Sequence, residues 1–188
     1  VEAIYARQRI DAPARDIFEV ENYLNALRFI VKIVEQKQPL AEKIILHIHQ
    51  LVTENILPRE QSGHYRKGPV YVVRRRLGFP QEAVYTAPEA ARVPHMMGEL
   101  CEWLQKSERN AIHPIITAGI AHQELAAIHP FSDGNGRTAR ALATLVLYER
   151  GYDFRRLFAL EDYYNKNRPA YYSAINIGKN YDERKRDF

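Results

Sequence analysis

Residues 129–140 read His129-Pro130-Phe131-Ser132-Asp133-Gly134-Asn135-Gly136-Arg137-Thr138-Ala139-Arg140, and the rest of the chain is organised around this stretch. Upstream, residues from about 114 to 128 are apolar almost all round (Ile115, Ile116, Ala118, Ile120, Ala121, Leu125, Ala126), which predicts a central buried helix. Downstream, Ala141, Leu142, Leu145 and Val146 predict a helix from about 135 to 150, with Gly151 just past its end. The stretch is thus a short loop between two core helices. Gly134, Asn135 and Gly136 accept left-handed backbone angles, so their N–H groups can converge into a nest at a helix N-terminus, a place that binds phosphate. Arg137 and Arg140, three residues apart, share a helix face and can both reach the oxygens of one polyphosphate. Two cations at a helix N-terminus oppose its dipole, a local cost that an anion between them offsets. Asp133 stands where one carboxylate, together with substrate phosphates, commonly holds Mg2+. His129, with a free pKa near neutrality, can serve as general base for a hydroxyl nucleophile. Phe131 is expected to point into the core and anchor the loop.

Other segments supply a scaffold. Ile17, Val20, Leu24, Leu27, Val31 and Val34 recur at helical spacing between Pro13 and Pro39. Pro39 then suits the first turn of a second helix running to about residue 55, with Leu40, Ile44, Ile48, Leu51 and Val52 inward. Residues 61–69 read as loop. Val70 to Val73 and Ala83 to Tyr85 switch to strand-like composition around Gly78 and Pro80, which predicts a β-hairpin. Met97, Leu100, Cys101 and Leu104 mark a third helix ending near residue 106, and short helices are expected near 161–165 and 169–177. The fold class is therefore mainly α, a helical bundle with a short hairpin, organised as a single domain over residues 1–188 with no internal repeat.

Composition agrees with that class. The chain is 46% hydrophobic and 27% charged, with nine glycines and ten prolines, which excludes collagen-like and disordered classes. One cysteine forms no internal disulfide or cysteine zinc site, and a reducing, cytoplasmic compartment is expected. No run reaches the roughly 18 apolar residues of a membrane span. The net charge of +4 suits an anionic ligand but not a dedicated nucleic-acid binder. Val1, Ile4 and Tyr5 look like the tail of a helix already under way, so sequence upstream is expected.

The segment at 129–140 resembles the signature of the Fic family, HxFx(D/E)GNGRxxR, at every fixed position. The resemblance extends to the hairpin, which corresponds to the family's flap, and to Asn167-Arg168 and Tyr171-Tyr172, similar to an NRxxYY pattern. It implies the Fic fold and Mg2+-dependent transfer of AMP from ATP to a Ser, Thr or Tyr hydroxyl of a target protein, with pyrophosphate released. By motif position, His129 is the implied base and Asp133 the metal ligand. Gly134, Asn135 and Gly136 form the implied anion cradle, and Arg137 and Arg140 bind the outer phosphates. Tyr163, Tyr164, Asn165 and Asn167 are the candidates for the adenine and ribose pocket. The hairpin, through Val72, Val73 and Arg74, would hold the target as an added strand. Arg74, Arg75 and Arg76 could bias it toward acidic sequences.

Many members carry an inhibitory pattern, [S/T]xxxE[G/N], whose glutamate pairs with the second arginine of the motif. None occurs in this sequence, so inhibition is expected to come from upstream of Val1 or from another chain, and this stretch is expected to be de-repressed. Two other activities stay open: a related phosphoryl-type transfer from a reversed ligand, and a nucleotide-binding regulator without turnover. The target protein, whether the chain modifies itself, and whether it forms a homodimer are left open too. A His129/Asp133 metal pair at helical spacing is disfavoured because Pro130 spoils that geometry. His47 and His49, two apart on a helix, cannot face one ion and are expected at the surface or its boundary. Arg74 to Arg76 serve equally well as a solvated hairpin edge.

Overall fold

The computed structural model describes residues 13–74, 82–109, 112–152, 166–175 and 178–183. Six α-helices occur among the described residues: α1 (Ala14–Glu35), α2 (Glu42–Val52), α3 (Val93–Arg109), α4 (Pro114–Ile128), α5 (Asn135–Glu149) and α6 (Arg168–Ile175). Between α2 and α3 lie two antiparallel strands, β1 (Tyr71–Arg74) and β2 (Glu82–Thr86). The fold is the mainly α bundle with a hairpin that the periodicities predict.

Helices α4 and α5 form the most extensive helix pair, α1 and α2 close over α5, and α3 packs against α4. Ile30, Ile45, Ile48, Val52, Met97, Leu125, Leu142 and Leu145 meet in one fully buried core. Each such side chain contributes roughly 1.5–3 kcal/mol by leaving water. Cys101 is buried among them.

Two expectations are corrected. Pro39 does not enter α2: Leu40 turns into the core, its carbonyl takes a hydrogen bond from Gln105 Nε2 at 3.1 Å, and the helix starts beyond Ala41. Helix α4 is not buried all round either, because Ile115 and Ile116 are 58% and 57% exposed. At about 100° per residue, Thr117, Ala118, Ala121, His122 and Leu125 fill its packed side, and Ile116 falls opposite them.

In the hairpin, Tyr71 pairs with Thr86 and Val72 with Tyr85, and an irregularity between Val72 and Val73 shifts the register. Tyr85 drives its hydroxyl onto Ala127 O at 2.6 Å, which fixes the hairpin to the end of α4. A bridge from Thr86 to Asn180 covers the far side of β2. Among the described residues, no strand pairs with the other edge of β1. No described helix is long and apolar enough to cross a membrane.

Candidate active site

The loop between α4 and α5 is built from backbone angles that few residues tolerate. His129 ends α4 with φ 51° and ψ 57°, in the left-handed region, its N–H still bonded to Leu125 O at 3.0 Å. Histidine is among the few non-glycine residues enriched there, yet such a residue still costs about 1–3 kcal/mol unless its surroundings fix it. Gly134, the residue before α5, has φ 79°, and a Cβ on it would lie 2.7 Å from Thr53 Cγ2. Only glycine fits. Gly136 needs no left-handed angle: it sits in the first turn of α5, where a Cβ would approach Arg140 Nη1 to 3.3 Å. The expected three-residue nest is thus one left-handed glycine followed at once by a helix N-terminus. No side chain caps that terminus, and its first-turn N–H groups suit an anion.

His129, Asp133, Gly134, Asn135, Gly136, Arg137 and Arg140 converge on one cavity of about 430 Å3, joined by Glu19, Val70, Tyr71 and Ser132. His129 Nδ1 lies 3.1 Å from Ala126 O, an atom that only accepts, so Nδ1 carries the proton and Nε2 keeps its lone pair. Burial first, and then the Arg66 cation, lower the pKa of His129, which holds the ring neutral at pH 7. It can therefore take a proton.

Asp133 Oδ1 accepts the Gly134 N–H at 2.6 Å, and Oδ2 accepts from Arg15 Nη2 at 2.8 Å. Arg137 donates to Val52 O at 3.1 Å, closing the last turn of α2, and lies 3.4 Å from Glu19 Oε1. The side chain of Asn135 is spent on the loop itself: Oδ1 accepts from Phe131 N and Nδ2 donates to Phe131 O, both at 2.9 Å, which clamps the loop. Phe131 is fully buried, as expected.

Two residues that hold the loop were not expected. His49 is fully buried, contrary to the surface position predicted for it. Its ring stacks on Phe131 at 3.6 Å and 4°, Nδ1 accepts the Gly63 N–H at 2.9 Å, and Nε2 donates to Asp133 O at 3.0 Å. Desolvation lowers its pKa to about 4. The signal was present: His49 follows Ile45 by four residues and precedes Val52 by three, inside the apolar stripe. The second is Arg66, in the loop before β1, which no periodicity marks.

The remaining candidates lie elsewhere. Val72 is exposed on β1; Val73 and Arg74 lie in the same strand, and their side chains are outside the described residues. Asn167 caps α6 through Oδ1 on Ala170 N at 3.3 Å and is not among the residues lining the cavity. Tyr163, Tyr164 and Asn165 lie outside the described residues, as do Arg75, Arg76 and residues 1–6.

The sequence model of the Fic/DOC family matches residues 39–147. A protein adenylyltransferase Fic from Drosophila grimshawi is 33% identical over 127 residues, 68% of this chain and 24% of that protein. The chain thus spans about a quarter of the length of the curated relatives it matches. Among solved structures, Fic-1 from C. elegans aligns with a TM-score of 0.66 at 28% identity, over 79% of this chain and 42% of that one. A Fic domain containing signaling protein from Bacteroides thetaiotaomicron gives 0.72 at 23% identity, over 96% and 66%, a likeness of fold.

Proposed function

The chain belongs to the Fic/DOC family, and on that premise we propose that it transfers AMP from ATP to the hydroxyl of a target protein. The observation that carries this reading is the convergence of a neutral histidine with an open Nε2, an uncapped helix N-terminus and two arginines on one cavity. In the proposed step the target oxygen bonds to the α-phosphorus as the bond to the β-phosphate oxygen breaks. Pyrophosphate leaves, and the hydroxyl proton passes to His129 Nε2. Arg137 and Arg140 lie where they can neutralise the departing charge, and the first-turn N–H groups of α5 can bind the phosphate oxygens without reorganising.

Asp133 is one carboxylate at the rim of this cavity, and no group of three acidic, histidine or cysteine ligands occurs among the described residues. That set fits Mg2+, which dehydrates reluctantly and is held by one carboxylate plus substrate phosphates. The ion would supply charge neutralisation at the phosphates. Arg15 occupies one oxygen of Asp133 and must yield it. The open edge of β1, next to Val70 and Tyr71 at the cavity, suits a target segment bound as an added strand.

The test compares ATP labelled at the α-phosphate with ATP labelled at the γ-phosphate, in a cell lysate with Mg2+. Label from the α-phosphate on protein, lost in His129→Ala, supports AMP transfer. Label from the γ-phosphate alone would replace it with phosphate transfer, and ATP binding with no transfer in any lysate would favour a regulator.

A further inference from the structure

Arg66 is 6% exposed, and its guanidinium meets no carboxylate among the described residues. Its partners are three main-chain carbonyls: Nε donates to His129 O at 2.8 Å, Nη1 to Gly68 O at 2.9 Å and Nη2 to Pro88 O at 2.5 Å. Its own N–H bonds Pro130 O at 2.9 Å. A buried cation satisfied by dipoles alone is an expensive way to fill space, since a neutral side chain would avoid the desolvation cost. What a guanidinium offers instead is a rigid planar fork that can fix three acceptors in one geometry.

Those three acceptors have different owners. Gly68 precedes β1, Pro88 follows β2, and His129 is the left-handed residue at the end of α4. A left-handed non-glycine residue persists only where its surroundings over-determine it, and the Arg66 side chain and backbone together hold the carbonyls of two successive peptides, those of His129 and Pro130. We propose that Arg66 is a positioning residue that locks His129 in its left-handed conformation and sets its distance from the two ends of the hairpin. This rests on the reading of His129 as the base and of β1 as the docking strand. Arg66 thereby fixes where a hydroxyl carried on β1 meets Nε2, while the phosphate-binding end of the loop is held separately by His49 and Asn135.

The experiment uses Arg66→Lys and Arg66→Ala, both checked for cooperative unfolding. A misplacement of about 1 Å at a reacting group costs about 100-fold in rate. The expected result for Arg66→Ala is therefore a fall in kcat of about 10- to 100-fold at saturating ATP, with ATP affinity within about threefold of wild type. Arg66→Lys, which can still reach one carbonyl, should recover part of that loss. Independently of turnover, the 13Cα and 13Cβ shifts and the HN–Hα coupling of His129 should move away from left-handed values in Arg66→Ala. If wild type transfers nothing, the functional reading fails and these shifts alone decide the conformational lock. Unchanged His129 shifts, a wild-type kcat, or a rate loss matched by an equal loss of ATP affinity would overturn the proposal.

Discussion

Replacing His49 by Phe separates what its ring does by shape from what it does by protonation. The variant keeps an aromatic plane against Phe131 but leaves the Gly63 N–H and the Asp133 carbonyl without their partner. At about 1–3 kcal/mol for each of the two orphaned groups, the loss at neutral pH should be about 2–6 kcal/mol. Its dependence on pH is more telling. Because Nδ1 must accept from Gly63, the folded chain holds a neutral ring, and burial lowers its pKa to about 4 from the ordinary 6.5. On acidification the unfolded chain takes the proton first, so this ring's stabilisation is complete above about pH 6.5 and is lost as pH falls toward 4. Those values give a loss of about 2 kcal/mol between pH 7 and 5 and about 3 kcal/mol by pH 4. The variant has no such term, so its unfolding free energy should approach that of wild type by the same amounts. His122, also lowered to about 4 by burial and by Arg140, titrates in both proteins and cancels in the difference. Urea unfolding at several pH values between 7 and 4.5 measures this directly. Wild-type and variant stabilities that run parallel with pH would refute the assignment of a neutral, doubly bonded His49.

Gly134→Ala forces a side chain into a φ of 79° and against Thr53, and should lower stability by at least about 2 kcal/mol while weakening ATP binding; a wild-type unfolding midpoint would contradict this. Asn135→Ala removes both bonds that clamp Phe131, so it should destabilise by about 2 kcal/mol and speed hydrogen exchange at the Phe131 amide. Unchanged protection at that amide would mean the clamp lies elsewhere. Arg15→Ala should leave stability unaltered, since its contact with Asp133 is exposed, and should strengthen Mg2+-dependent ATP binding by releasing that carboxylate. Weaker binding in isothermal titration would show that Arg15 assists the site instead of competing for it.

What could be read from the sequence followed from periodicity and from one dense motif. The apolar spacing placed α4 and α5 on either side of the loop, and the glycines, acid and arginines of that loop marked it as the candidate site, where the structure gathers them round one cavity. His49 escaped because a polar residue was counted against the helix surface, although its position between Ile45, Ile48 and Val52 lies on the buried stripe. Arg66 escaped for a different reason: its partners are main-chain carbonyls, two of them, on Pro88 and His129, 22 and 63 residues away, and carbonyls leave no trace in a residue pattern. Asn135 was read as part of the anion cradle because its neighbours are; which way an amide turns depends on packing that spacing does not encode.

His49, Arg66 and Asn135 share a property: the side-chain hydrogen bonds by which each grips the loop or its surroundings all end on peptide atoms. Every residue type presents the same carbonyl and, proline apart, the same N–H. The side chains at positions such as Gly68 and Pro88 are thereby uncoupled from the geometry that their carbonyls help to support. A chain built this way can drift at those positions without rebuilding the machinery beneath. The same uncoupling makes them the places to begin when redirecting such a site by design.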